Sequence, residues 1–277
     1  MHTANIIEGF VELGHEVDRK PVPSKVYNLL IEHANRGVDS NLTAAISLTN
    51  DLCPIYINGE DFFDNHPYNQ EWGCFRYPEK YKLYFRREVL PWNRRLSHEF
   101  PLPFGLYSNY LKHYNEQKED LCIFPSAGEY PNRREIIRYI KEFNLPIKVG
   151  RVGKFRHSVT VQGSDDYYKH LNRAKVIISS IGWGQDTARF WEALSTGACV
   201  ISEQLDLEMA HPFTHMENVI FFTHPSELVD IFNNLDSIDI ETIGKKGREH
   251  ALKYHMTRNR AKFVIDKALE YSLVNDI

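Results

Sequence analysis

The sequence predicts an α/β protein in which helices cover parallel β-sheets, and three observations lead to this prediction. In the second half of the chain, short apolar segments alternate with amphipathic segments of about 10–15 residues, as in βαβ units. The length of 277 residues favours two domains of ordinary size. Hydrophobic residues make up 42% of the chain, which is enough to form a core in each domain.

The first half of the chain contains fewer regular elements. Apolar positions at helical spacing predict a helix over residues 2–13, and Gly14 is suited to its C-terminal end. The chain is therefore expected to open on a helix, without the strand that begins many parallel α/β domains. Strands are predicted over residues 54–58 and 80–89. An unconventional element from residues 42–58, or a partner chain, is expected to take the place of the absent strand.

The second half of the chain is more regular. A polar segment over residues 112–120 predicts the linker between two domains, which are assigned to residues 1–115 and 116–277. The predicted strands lie within residues 120–128, 146–152, 158–163, 175–181, 198–203 and 218–222. The predicted helices lie within residues 132–143, 165–174, 186–196, 225–235 and 240–273.

Composition and charge argue against several classes of protein. The formal net charge of −4 gives no bulk attraction to nucleic acid or to anionic lipid. The sequence contains no apolar run of membrane-spanning length, and its first residues show no secretory signal. The four cysteines have no CxxC spacing, which indicates reduced thiols in a cytoplasmic protein. They are Cys53, Cys74, Cys122 and Cys199.

The segment from the strand at 175–181 into the following helix is a candidate ligand site. Ligands of parallel α/β sheets bind beyond the C-terminal ends of the strands, where a helix starting near Asp186 presents free N–H groups to phosphate. Arg189 could clamp a diphosphate. Glu192 lies three residues later on nearly the same helix face, and its carboxylate could accept hydrogen bonds from ribose. The same spacing also fits an ordinary Arg189–Glu192 surface pair.

The residues of this segment carry a resemblance to a known family. "DYYKHLNRAKVIISSIGWGQDTARFWEALSTGACVISE" and the elements after it contain a strand, a polar loop, the pattern R-F-x-E-A-x-x-x-G-x-x-x-I and another strand. Residues 120–270 thus resemble the nucleotide-binding half of a GT-B glycosyltransferase, closest to the group 1 families and their spore-coat, CgeB-like relatives. "HTANIIEGFVELGHEV" is more weakly similar to the first helix of the acceptor domain. The resemblance implies two Rossmann-like domains.

The resemblance also implies roles for individual residues. Glu192 would bind the ribose and Arg189 the diphosphate of a nucleotide-sugar donor. Relatives place a phosphate-binding arginine where this chain has Arg133 and Arg134, so that one would bind and the other would be solvated. Thr187 at the helix start and the more weakly supported Lys154 complete the nucleotide-binding candidates. Two acids are candidates for catalysis: Asp61, with a solvated loop acid as its alternative, and Asp186, with a helix N-cap as its alternative.

Two features depart from the family pattern. The common E-x7-E motif expects a carboxylate at position 184, where this chain has Gly184. The first strand of the acceptor domain is also missing. The sequence contains no D-x-D motif, so the resemblance implies a metal-independent reaction and no cofactor besides the donor substrate.

The function implied by the resemblance is transfer of a hexosyl or pentosyl group from a nucleotide-diphosphate sugar to an acceptor, with retention favoured. The expected acceptor is a glycan or a surface polysaccharide precursor. A hydroxylated DNA base is a less favoured acceptor, because the chain is slightly acidic. Two alternatives remain: a non-catalytic nucleotide-sugar-binding module, which Gly184 and the missing strand favour, and an unrelated Rossmann-type binding protein.

Overall fold

The computed structural model describes most of the second half of the chain and selected parts of the first. By contact density the chain divides into two compact units, which are described separately below. Unit 1 comprises Met1–Gly105, Leu207–Ala210 and Met256–Ile277, and unit 2 comprises Leu106–Asp206 and His211–His255. The sequence-based domain boundary after residue 115 stays a prediction. The described residues are 2–18, 29, 31–34, 55–58, 81–91, 96–114, 117–119, 121–125, 130–150, 165–182 and 184–273.

Unit 1 contains a four-stranded sheet in which every described pair of neighbours is parallel. Its strands follow one another in chain order: β1 (Ile31–Ala34), β2 (Ile55–Asn58), β3 (Leu83–Arg86) and β4 (Glu99–Pro101). Ile55 lies opposite Ile31 on one side and Leu83 on the other. Apolar side chains of these strands therefore form one continuous core with the helices of the unit.

Two helices cover this sheet and pack closely on each other. They are α1 (His2–Glu12) and the C-terminal helix α7 (Thr257–Glu270). A Cβ atom at Gly9 would overlap the carbonyl oxygen of Thr257, so glycine permits the close approach of the two backbones. The Thr257 hydroxyl also donates a 3.2 Å hydrogen bond to Oε2 of Glu8. The helix predicted at the start of the chain is therefore confirmed and has its own packing partner.

The strands of unit 1 correspond only in part to the sequence prediction. Strands β2 and β3 fall inside the two predicted segments, whereas β1 was not predicted. Strand β4 was not predicted either, and it ends at Pro101. Proline is tolerated there because β4 is the last strand of the described sheet, where its missing N–H breaks no ladder. In the segment proposed to replace a first strand, residues 55–58 form β2, and residues 42–54 lie outside the described residues.

Unit 2 contains a five-stranded parallel sheet with the spatial order β6-β5-β7-β8-β9. This sheet confirms the predicted α/β class. The chain moves from β5 outward to β6 and then returns past β5 to β7, so that the direction of winding reverses between β5 and β7. The predicted strand at 158–163 lies outside the described residues. The five strands are β5 (Cys122–Phe124), β6 (Ile147–Val149), β7 (Val176–Ser179), β8 (Cys199–Glu203) and β9 (Ile220–Phe222).

Five α-helices accompany the sheet of unit 2 in the described residues, and each falls on a segment predicted to be helical. In α2, Ile136 and Ile140 are four residues apart and both are buried in the core against the strands. No helix among the described residues of either unit has the length and apolar character needed to cross a bilayer. The helices are α2 (Pro131–Glu142), α3 (Asp165–Asn172), α4 (Ala188–Ser195), α5 (Glu227–Asn233) and α6 (Ile240–Tyr254).

Two cations hold the C-terminal end of α4. Nζ of Lys118 donates to the carbonyl oxygens of Asn172 and Thr196, at 2.8 and 2.5 Å. Nε of Arg248 donates to the carbonyl oxygen of Ser195 at 3.0 Å. Donors at this end of a helix are favourable, because the last carbonyl groups lack partners within the helix. These contacts fix α4, whose opposite end begins at the candidate site.

Candidate functional site

The candidate site lies at the C-terminal edge of the unit 2 sheet, where the strand order reverses. Helix α2 follows β5 and helix α4 follows β7, so both begin at this edge. A loop, described at residues 180–182 and 184–187, joins β7 to α4. In open parallel sheets this crevice is the usual place for a ligand. Side chains from α2, α3, α4, the loop and β8 meet here.

Glu192 of α4 is completely buried, with 0% of its surface exposed. Its Oε2 accepts a 2.9 Å hydrogen bond from the hydroxyl of Tyr167, and its Oε1 accepts a longer one, 3.5 Å, from Tyr168. Burial, and then the Glu192 carboxylate, raise the pKa of both tyrosines, so their hydroxyls stay protonated and act as donors. The interpretation of Glu192 as a member of a surface pair is therefore wrong, because α3 covers it.

The two consecutive arginines of α2 lie in different environments. Arg134 is exposed, whereas Arg133 is 1% exposed and lies against the loop after β7. Nε of Arg133 donates to Ser180 Oγ at 3.1 Å and to the Ile181 carbonyl oxygen at 3.2 Å, and its guanidinium lies over the Tyr130 ring. The Nε edge is thus used within the fold, which leaves the terminal nitrogens as the donors that could reach a ligand.

Arg189 contributes a second guanidinium to the same place. Burial, followed by repulsion from Arg189, lowers the pKa of Arg133 to about 9. The Nε atom of Arg189 is buried without a hydrogen-bond partner in the described part of the chain. Two like charges held close together are relieved by an anion that binds between them. The arrangement therefore favours a phosphate-type ligand.

The two residues before α4 have different surroundings. Thr187 is the N-cap residue in an extended conformation, with φ −102° and ψ 139°, and within the described residues its side chain makes no capping hydrogen bond. Asp186 is 3% exposed, and its Oδ1 accepts a 2.8 Å hydrogen bond from the Trp191 indole. The interpretation of Asp186 as the N-cap is therefore wrong, because the N-cap is the next residue, Thr187. The first N–H groups of α4 are left without a side-chain cap from Thr187.

A carboxylate that the sequence analysis did not identify fastens the loop after β7. Oε2 of Glu203, the last residue of β8, accepts from the Ile181 backbone N–H at 2.7 Å and from Asn132 Nδ2 at 2.9 Å. Asn132 Nδ2 is also 3.1 Å from the Ile181 carbonyl oxygen. A Cβ atom at Gly182 would lie 3.1 Å from Nη2 of Arg133, so glycine allows the arginine to approach the loop.

The structure leaves some predicted residues undescribed. Asp61 and Lys154 lie outside the described residues, and their assignments stay predictions. Among the residues that are described, no group of three His, Cys, Asp or Glu side chains could hold a metal ion. Sequence reasoning missed Tyr167, Tyr168 and Glu203. The available signal was the pair of adjacent tyrosines on the short helix α3, which precedes the central strand.

A family model described as "Glycosyl transferase-like" matches residues 124–266, which is more than half of the chain. The chain belongs to this glycosyltransferase family. The matched segment contains α2, the loop after β7, α4 and the end of β8, and therefore the whole of the site described above. By sequence comparison, none of the curated proteins matches the chain.

Solved structures of glycosyltransferases share the fold of this family member. TarM is 12% identical with a TM-score of 0.54; the match covers 81% of this chain and 53% of TarM, so the chain spans about half of TarM's length. A glycosyltransferase from Rickettsia africae ESF-5 is 10% identical with a TM-score of 0.57 and coverages of 89% and 78%. HepE from Anabaena, in complex with UDP-glucose, is 13% identical with a TM-score of 0.50 and coverages of 87% and 72%. These similarities confirm the predicted GT-B fold with two Rossmann-like domains.

Proposed function

We propose that this glycosyltransferase family member moves a sugar from a nucleotide-diphosphate sugar to an acceptor, and that unit 2 binds the donor. The observation that carries the proposal is the pair of guanidinium groups of Arg133, near the start of α2, and Arg189, near the start of α4. They lie where the strand order of the sheet reverses, which is the preferred ligand position of such sheets. We assign the diphosphate of the donor to this place.

The proposed chemistry is electrostatic. When the bond between sugar and diphosphate breaks, negative charge grows on the leaving diphosphate oxygens. Arg133, Arg189 and the first N–H groups of α4, beginning with those after Thr187, would stabilise that charge without reorganising during the reaction. Because these groups supply positive charge from the protein itself, we propose that the reaction needs no metal ion.

We assign the ribose of the donor to Glu192. The carboxylate of Glu192 can accept hydrogen bonds from hydroxyl groups, as it does from Tyr167 at Oε2 and from Tyr168 at Oε1. The 3.5 Å contact to Oε1 is the weaker of these, so Oε1 is the oxygen that we expect to turn to a ribose hydroxyl. Since Glu192 is buried, this contact requires movement of the side chains that cover it.

A structural neighbour supports the proposed class of donor. The HepE structure contains UDP-glucose, so a UDP-sugar is the first donor to test. We propose a glycan or a surface polysaccharide precursor as the acceptor and retention as the stereochemical outcome. Asp61 and Asp186 remain the proposed catalytic acids; Oδ1 of Asp186 accepts a hydrogen bond from the Trp191 indole. Cys122 and Cys199 are free thiols, which agrees with the proposed cytoplasmic location.

Calorimetry with UDP-, GDP- and ADP-sugars, followed by an assay for donor hydrolysis and sugar transfer, tests the proposal. Binding of one donor together with turnover is the expected result. Tight binding without turnover would instead establish a nucleotide-sugar-binding module, an alternative that the glycine at position 184 favours. Failure to bind any nucleotide sugar would refute the assignment of the site.

A further inference from the structure

Glu203 joins three separate elements at the edge of the unit 2 sheet. It ends β8, yet its Oε2 binds the backbone N–H of Ile181 in the loop after β7 and the side-chain amide of Asn132 in α2. Both donors lie within 2.9 Å of the same oxygen atom. A carboxylate that accepts two short hydrogen bonds holds its partners more firmly than a neutral acceptor does.

The contacts continue from Ile181 to Arg133. Nε of Arg133 donates to the carbonyl oxygen of Ile181 and to the hydroxyl of Ser180. Both backbone polar groups of Ile181 are therefore hydrogen-bonded: its N–H donates to Glu203, and its carbonyl oxygen accepts from Arg133. A second contact fastens the other half of the loop, because Oε1 of Gln185 accepts from the Asp206 backbone N–H at 2.6 Å. The position of the Arg133 guanidinium depends on a loop that Glu203 fixes.

Glu203 is an acidic residue close to the proposed diphosphate site, and its presence there needs an explanation. Burial raises the pKa of this carboxyl, while the hydrogen bonds from Ile181 and Asn132 and the charge of Arg133 act in the opposite direction. A carboxylate close to a site for a diphosphate repels the ligand. Its presence there is explained if it orients the positive group more than it opposes the negative one.

We propose that Glu203, assisted by Asn132, is a positioning residue for the donor diphosphate, acting through Ile181 on the guanidinium of Arg133. This inference rests on the proposed function of the site. Removal of the Glu203 carboxylate changes the diphosphate affinity in opposite directions under the two explanations. If Glu203 positions Arg133, the diphosphate binds more weakly to the variant. If Glu203 mainly repels the ligand, the diphosphate binds more tightly.

Calorimetric titration of wild type, Glu203→Ala and Glu203→Gln with UDP, GDP, ADP and the matching nucleosides provides the test. For the nucleotide that the wild type binds, Glu203→Ala should weaken the diphosphate about tenfold and leave the nucleoside within about twofold, as for loss of a charge-assisted contact. Glu203→Gln should restore most of the affinity, because its amide oxygen still accepts from Ile181. In an Arg133→Ala background, Glu203→Ala should cause no further loss.

Two further variants keep the test decisive. Glu135→Ala removes a neighbouring carboxylate of α2, whose charge also raises the pKa of Glu203, and should leave diphosphate affinity within about twofold. Asn132→Ala replaces Glu203→Ala in the test if Glu203→Ala does not fold. We expect Asn132→Ala to lower the diphosphate affinity about threefold. Equal losses for nucleoside and diphosphate, or unchanged or tighter diphosphate binding, would overturn the positioning role while leaving the donor site in place. A wild type that binds none of the three nucleotides would overturn the proposed function, and this inference with it.

Discussion

The hydroxyl of Tyr167 donates a 2.9 Å hydrogen bond to Oε2 of Glu192, and both side chains are buried in unit 2. The contact explains how an acid can occupy the buried side of α4. A buried carboxylate is costly unless it is hydrogen-bonded, and α3 supplies the donors. The same contact couples the proposed ribose ligand to the stability of the fold.

Replacement of Tyr167 by phenylalanine tests this coupling. Tyr167→Phe keeps the ring but removes the donor, so the free energy of unfolding should fall by about 1.5–3 kcal/mol, the scale for a hydrogen bond to a charged group. Urea denaturation followed by circular dichroism would measure the change. Tyr139→Phe, at a partly exposed ring of α2, is the matched control and should stay within about 0.5 kcal/mol. Equal stability of Tyr167→Phe and wild type would show that the hydroxyl contributes nothing to Glu192.

Replacement of Arg133 or Arg189 should affect the binding of a diphosphate more than the binding of a nucleoside. Arg133→Lys and Arg189→Ala should each weaken UDP binding about 10–100-fold and leave uridine binding unchanged, because the lost contacts are to phosphate. Isothermal titration calorimetry gives both affinities. Arg134→Ala is the control at an exposed position one residue away and should bind UDP as the wild type does. If uridine affinity fell in parallel with UDP affinity, the arginines would be acting through the fold.

Removal of divalent metal should leave sugar transfer nearly unchanged. Arginine side chains and helix N–H groups are proposed to carry the charge that a metal ion carries in metal-dependent transferases. The measurement is the initial rate of transfer with and without EDTA. Loss of the rate with EDTA and its recovery on addition of Mn²⁺ or Mg²⁺ would contradict a metal-independent reaction.

Lys118 should make the free energy of unfolding depend on pH in the alkaline range. Burial, and then the charge of Arg248, lower the pKa of this lysine from 10.5 to about 8. Between these two values the unfolded chain binds more protons than the folded protein, so the contribution of Lys118 to the free energy of unfolding rises with pH. Below pH 8 the folded protein bears the whole cost of the buried charge.

The comparison of Lys118→Met with wild type isolates this contribution. The stability of the variant relative to wild type should decline as the pH is raised from 7 to 10, as followed by urea denaturation at each pH. Lys169→Met, at an exposed position of α3, should show a constant difference instead. A constant difference for Lys118→Met as well would mean that this amine titrates alike in both states.

Glycine at position 244 allows α6 to lie directly on the start of β8. A Cβ atom there would be 2.5 Å from the Gly197 carbonyl oxygen and 2.7 Å from the Cys199 nitrogen, both backbone atoms. Gly244→Ala should therefore destabilise the protein by about 1–3 kcal/mol, although alanine favours an isolated helix by about 1 kcal/mol. Thermal unfolding would measure the loss, with the exposed Lys245→Ala as control. A rise in melting temperature for Gly244→Ala would refute the close packing.

The sequence determined the regular elements of unit 2 and the loop that carries the site. Helical and strand periodicities are local properties, so the strands on either side of α4 and the helix itself could be predicted from their own residues. The position of Glu192 in the family pattern identified it as a candidate. Strand β1 was missed, because four residues carry too little periodicity to be recognised without their neighbours.

Only the tertiary structure decided what surrounds each candidate side chain. Which of Arg133 and Arg134 is buried depended on which face of α2 meets the loop after β7, and the cover over Glu192 came from Tyr167, 25 residues earlier in the chain. Glu203 and Ile181 meet because β7 and β8 are adjacent strands, although 22 residues separate them in the sequence. Hydrogen bonds and burial depend on distances in space, which the packing of the whole sheet sets and no local pattern of residue types contains.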